Sequence, residues 1–141
     1  MAVSVFIARR IDAGLFAQVH EDVFDGPVDP HLLERFLAAD HLQIAVAVDR
    51  DQLVGMCSGV IHHHPDKPDS WWINELGVAG PWRRHGIGTR LVMTCMDHAR
   101  RIGCRDIWVV ADPTGEAEGF WHSLRWTRTG ERLAMFSTRL D

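Results

Sequence analysis

With 141 residues and a mass of 16.0 kDa, the chain is the size of one compact domain, residues 1–141, with little room for a second core. A content of 46% hydrophobic and 24% charged residues excludes wholesale disorder and collagen-like repeats, and no apolar run reaches the length of a membrane span. The formal net charge of −4 argues against nucleic acid as a partner, and the absence of a basic segment followed by a long apolar one near Met1 predicts a cytoplasmic protein with no membrane partner.

Val3, Val5 and Ile7 alternate and predict a first strand. Leu15, Phe16, Val19 and Val23 then recur at helical spacing, and Asp29-Pro30 offers an N-cap followed by a proline at the first position of a second helix. Residues 43–48 and 53–62 read as two strands joined through Asp49-Arg50-Asp51, with a loop over 63–70 and a further strand over 71–78. From Ile87 the positions Leu91, Cys95, Ala99 and Ile102 follow at helical steps, Arg100 and Arg101 fill the last turn, and Gly103 supplies a left-handed end. A strand over 106–110, a helix over 114–124 and two closing strands over 126–132 and 134–140 complete the order βααβββαβαββ, a mixed-sheet α/β (α+β) domain.

Cys57, Cys95 and Cys104 have neither a C-x-x-C spacing nor a metal-ligand pattern, so they read as reduced core or boundary residues. A covalent acyl-cysteine route would need a basic neighbour beside an activated thiolate, and nothing pairs Cys57 with one. His62-His63-His64 with Asp66 invites a metal, yet successive strand residues point to opposite faces and cannot share one ion, so no metal is expected. The tryptophans read as packing residues, with one or two free to stack on sugar rings.

The segment Arg83-Arg84-His85-Gly86-Ile87-Gly88-Thr89 joins a strand to the start of the long helix. The first helical N–H groups lack intrahelical partners, glycines let backbone approach a ligand, and two arginines add positive charge, which together suit a pyrophosphate. A dinucleotide fingerprint fails at Leu91, where a third glycine is required, and no Gly-Lys-Ser/Thr follows for a P-loop. Tight strand-to-helix packing would use the same glycines.

Residues 78–89, with Arg83, Gly86 and Gly88 at R-x-x-G-x-G spacing after a strand, resemble the acyl-CoA-binding signature of the GNAT N-acetyltransferase superfamily. The element order is similar to that superfamily's over nearly the whole chain. Within it, the stretches DVFDGPVDP at 22–30, HPDKP at 64–68 and WINELGV at 72–78 resemble the aminoglycoside 3-N-acetyltransferase (gentamicin-type) branch. The resemblance implies acetyl-CoA (coenzyme A) as cofactor, its pyrophosphate on the amides of Arg84, His85, Gly86, Ile87, Gly88 and Thr89 beside Arg83. It implies pantetheine hydrogen-bonded by backbone at Leu76, Gly77 and Val78, with Thr114, Ala117 and Phe120 on the other side. The implied partner is a small-molecule amine, and a homodimer is left open.

An aliphatic amine is mostly protonated at neutral pH and needs a route for its proton to leave before it can attack. Glu75 stands where the resembling branch carries an acidic residue, and Trp71, Trp72 and Ile73 beside it would raise its pKa by desolvation; it is the expected general base. Asp112 is the second candidate, although Asp112-Pro113 also reads as an N-cap with an N1 proline. Many superfamily members protonate the leaving thiolate with a tyrosine. This chain has none, and the corresponding place falls on Trp121, whose indole N–H is no useful acid. The carboxylates Asp22, Asp25 and Asp29, with Glu75 and Asp112, would line an acidic cleft for a polycationic acceptor; any one of them could equally be a solvated helix-end charge. An acetyltransferase for another amine and a non-catalytic acyl-CoA sensor stay open as alternatives.

Overall fold

The computed structural model describes residues 1–113, 115–130 and 133–140. The chain forms two compact units, Met1–Val110 and Ala111–Asp141. The first holds a five-stranded sheet in chain order: β1 (Val3–Ile7), β2 (Leu42–Asp49), β3 (Gln52–His64), β4 (Lys67–Val78) and β5 (Asp106–Val109). The first four strands pair antiparallel, and β5 joins β4 in parallel after the crossover helix α2 (Ile87–Arg101). This is the mixed sheet that the sequence predicts.

Alternation along β2 divides the core. Ile44, Val46 and Val48 face one cluster with Phe16, Val23, Leu53, Met56 and Ala79, covered by a 3₁₀ helix at Arg10–Ala17 and by α1 (Pro30–Ala38). Ala45 and Ala47 face the other way, toward α2, whose buried stripe is Ile87, Leu91, Val92, Cys95 and Ala99. Trp71 is fully buried against His98 of α2 with ring centroids 6.1 Å apart, and it fits only because residue 59 is glycine: a Cβ there would lie 2.1 Å from Trp71 Nε1.

The helix ends follow from local chemistry. Asp29 Oδ1 accepts from the N–H groups of His31 (2.8 Å) and Leu32 (3.0 Å) with Pro30 at the first helical position, a cap that contributes about 1 kcal/mol. At the far end of α2, Gly103 adopts φ 90°, its N–H donates to the Arg100 carbonyl, and the Cys104 N–H donates to the Ala99 carbonyl. That paired closure is a Schellman motif.

Four sequence expectations need correction. The helix expected across Leu15–Val23 is a 3₁₀ helix that stops at Ala17, because the Leu53 N–H donates to the Gln18 carbonyl at 2.8 Å and the His20 N–H to the Leu53 carbonyl at 3.0 Å, drawing the segment onto the edge of β3. Residues 63–70 are strand tips around a tight turn rather than a loop. Ile102 is exposed beyond the buried stripe of α2. The closing strands over 126–132 and 134–140 are not formed among the described residues; residues 131 and 132 lie outside those described. Leu133, Met135, Phe136 and Leu140 are all exposed and no sheet neighbour pairs with them, so their apolar spacing has no face to bury.

Within the second unit, α3 spans Glu116–Ser123. Its N-cap is Gly115, not Asp112, and the Gly115 N–H donates to the Asp112 carbonyl at 3.4 Å. Trp121 packs on Phe120 and Trp126 at centroid distances of 5.0 and 4.8 Å.

Candidate active site

The site is built where β4 outruns β5. The parallel ladder ends at Ile73 opposite Val109, and β4 continues through Asn74–Val78 paired only with β3. The register on the β3 side also breaks here: Gly59 faces Ile73 and Ser58 faces Glu75, so Asn74 is an extra residue, a β-bulge. The bulge shifts the phase of the strand by one. Glu75 therefore lies on the same sheet face as its partner Ser58 and as Gly77, the face that meets the loop around Val23.

Glu75 itself is exposed, so it lacks the desolvation by Trp71, Trp72 and Ile73 that the sequence led us to expect. Trp71 and Ile73 project to the opposite face, against α2. Exposure leaves the carboxylate accessible to an incoming amine.

Gly77 brings the acidic loop close. A Cβ at Gly77 would sit 2.6 Å from the Val23 carbonyl oxygen, so this loop rests directly on β4. Asp22 Oδ2 accepts a hydrogen bond from the Gly80 N–H at 3.2 Å, and its own N–H donates to His20 Nδ1 at 3.2 Å. Of the expected acidic wall, Asp22 is thus tied to the end of β4, Asp25 is exposed in the same loop, and Asp29 spends its Oδ1 on capping α1. Asp112 belongs to the second unit.

Beyond β4 comes the turn into α2. Arg83 Nε donates to the Val78 carbonyl at 2.9 Å, which fastens the guanidinium across the end of the strand. Arg84 takes φ 63° and Gly86 φ 76°, both left-handed, and His85 Nδ1 lies 2.8 Å from the Arg83 carbonyl oxygen. A Cβ at Gly86 would meet nothing within 4 Å, so glycine is favoured there by backbone conformation and not by packing. Gly86 is the N-cap of α2 and no side chain caps the helix. The amides of Ile87, Gly88 and Thr89 lack helical acceptors at the positive end of a fifteen-residue dipole. The arrangement is a ready receptor for a phosphate group.

Ala117 and Phe120 lie on α3 of the second unit, and Thr114 lies outside the described residues. Among the described residues no group of three or more His, Cys, Asp or Glu side chains could hold a metal ion. His63 Nδ1 pairs with Asp69 at 2.9 Å and His64 with Asp66, while His62 lies edge-on to Trp72 and Trp108. Cys57 is buried beneath the site, and the neighbouring Cys95 thiol, then burial, push its own thiol far up, the reverse of a nucleophile. Sequence reading missed the bulge at Asn74 and the Arg83 bond to Val78; neither has a residue-type signature.

Residues 15–124 match the acetyltransferase (GNAT) family. No curated protein sequence matches the chain. Its fold is similar to that of an aminoglycoside acetyltransferase from an uncultured soil metagenomic sample in complex with sisomicin, with 18% identity, TM-score 0.83 and coverage of 99% of this chain and 97% of that one. It is similar to AAC(6')-Iy in complex with the bisubstrate analogue CoA-S-monomethyl-acetylneamine, with 18% identity, TM-score 0.79 and coverage of 99% and 100%. It also resembles a transcriptional regulator from Bacillus halodurans C-125, with 20% identity, TM-score 0.75 and coverage of 96% and 100%. Likeness at these identities speaks to the fold.

Proposed function

Because the chain belongs to the acetyltransferase (GNAT) family, we propose that it moves acetyl from acetyl-CoA to a primary amine of a small polycationic acceptor, an aminoglycoside first among them, with Glu75 as general base. The observation that carries this reading is the end of the β4–β5 ladder at Ile73 and Val109, immediately before Glu75 and the free edge of Asn74–Val78. That edge offers backbone groups to an extended pantetheine, and the left-handed turn with the uncapped start of α2 suits its diphosphate, so the residues present fit the donor.

Glu75 takes the proton of the acceptor ammonium, directly or through one water. The freed nitrogen lone pair attacks the thioester carbonyl, the N–C bond forms as the C–S bond breaks, and the second proton on that nitrogen passes through water to the departing thiolate. A thiol pKa of about 8.5 makes that thiolate a tolerable leaving group without a dedicated acid, which accords with a chain that has no tyrosine. Asp22 and Asp25, in the loop seated on β4, provide negative charge for the acceptor's remaining ammonium groups. Asp112 is a second candidate on the other unit. The 3-N position rests on the sequence segments at 22–30, 64–68 and 72–78 alone.

The test is CoA thiol release with a panel of aminoglycosides, polyamines and peptides, followed by mapping of the acetylated nitrogen by NMR. Release with aminoglycosides supports the reading. Donor binding with no release from any amine would instead support an acyl-CoA sensor, an alternative kept open by Trp121 standing where a tyrosine acid is usual.

A further inference from the structure

The sheet face that carries Glu75 also carries an aromatic shelf. Ser58 pairs with Glu75, Val60 with Trp72 and His62 with Ser70 along β3 and β4, while Trp72 pairs with Trp108 and Ser70 with Asp106 across β4 and β5. Paired residues share a face and β3 alternates, so Glu75, Trp72, Trp108 and Asp106 all lie on one side. The odd spacing of residues 72 and 75 conceals this, and the bulge at Asn74 restores it.

The shelf is rigid. The Trp72 and Trp108 rings stack at 5.8 Å with planes 20° apart, and His62 lies edge-on to both, at 6.0 and 5.7 Å. Trp108 Nε1 donates to Ser70 Oγ at 2.8 Å. The shelf is open on one side, since Trp108 remains 39% exposed. A fixed aromatic surface loses little entropy when a ligand settles on it.

Charge brackets the shelf. Asp106 is exposed opposite Ser70, and Glu75 stands about 15 Å away along the strand at the usual rise per residue. Carboxylates at both ends with indoles between them complement an elongated molecule that has ammonium groups at its ends and a saturated ring between, since indole attracts both C–H faces and cations.

We propose that Trp72, Trp108 and Asp106 form a distal acceptor subsite that takes a second ring of an amino-sugar oligosaccharide whose reacting amine lies at Glu75. This rests on the acetyltransfer reading above and specifies the acceptor: a multi-ring amino sugar, not a single-ring amine or a flexible polyamine.

The test compares wild type with Trp108→Ala and Asp106→Asn, both at exposed positions, using tobramycin (three rings), glucosamine (one ring) and spermidine (no ring). Melting curves establish that each variant is folded. The expected result is a KM ratio of tobramycin to glucosamine that rises roughly fivefold or more in Trp108→Ala, with a smaller rise in Asp106→Asn. An unchanged ratio in both variants overturns the subsite. So does an equal rise for spermidine in Trp108→Ala, which would reduce the shelf to a cation contact. If wild type releases no CoA with any acceptor, the acetyltransfer reading fails separately, and calorimetric titration of the three compounds decides the subsite by the same ratio of dissociation constants, an unchanged ratio overturning it.

Discussion

The carboxylate of Asp22 holds the backbone N–H of Gly80 from 3.2 Å, joining positions 58 residues apart in the chain. This single bond fixes the acidic loop to the strand end that leads into the turn before α2. Asp22→Ala should lower stability by about 1 kcal/mol or less, as for one exposed hydrogen bond, and raise the KM for a polycationic acceptor more than for acetyl-CoA. Asp22→Asn keeps an acceptor oxygen and should restore the melting temperature without restoring the KM. Equal shifts in both KM values would remove Asp22 from the acceptor wall.

Glu75→Gln keeps the size and exposure of the side chain and removes its basicity. Turnover should fall by roughly 10² to 10⁴, the range for a lost acid–base group, with acetyl-CoA affinity within twofold of wild type by calorimetry. Turnover equal to wild type would reject Glu75 as base.

Gly86→Val places a β-branched residue at φ 76°, at a backbone cost of about 1–2 kcal/mol, and Arg83→Ala cuts the tie to the Val78 carbonyl. Both should weaken acetyl-CoA binding more than amine binding in equilibrium titrations. The opposite ranking would dismiss the phosphate assignment.

Gly59→Ala forces a methyl to within 2.1 Å of Trp71 Nε1, inside a fully buried ring contact. A loss of about 2 kcal/mol or more is expected from overpacking. Among the described residues Trp71 Nε1 is buried without a hydrogen-bond partner, so Trp71→Phe removes both the clash and the orphan donor. In a denaturant double-mutant cycle, Gly59→Ala should cost less in the Trp71→Phe background; additive costs would show that the two residues do not compete for the same space.

His98 titrates below its ordinary 6.5 because burial, and then Arg101, disfavour its charged form. The unfolded chain then binds more protons than the folded one in the window just below 6.5. Its contribution to stability is full above that value and is lost as pH falls through the window. Melting temperature between about pH 5 and 7 should rise less steeply with pH in His98→Gln than in wild type.

Legibility from sequence followed the range of the interactions. Helix α2 could be read because its buried stripe, basic last turn and Gly103 end are all local. The start of α2 at the turn through Gly86 was legible for the same reason. The β3–β4 tips were hidden by Pro65 and Pro68, which signal a loop; Pro68 is tolerated because the register is irregular between His62 and His64 and because β5 pairing begins only at Ser70. The shelf was out of reach, since Trp72 and Trp108 meet only through a parallel crossover, and the bulge that brings them to the Glu75 side depends on register. The start of α3 was misplaced because Asp112-Pro113 imitates the cap that Asp29-Pro30 does make.

Strand order in the sheet repeats strand order in the chain from β1 to β5. The β2–β3–β4 meander can therefore zip together through short-range closure, while β1 must span the 3₁₀ helix and α1 to reach β2, and β5 must span α2 to reach β4. Once in place, β5 runs beside the first half of β4 alone and leaves the remainder of that rim open for a guest.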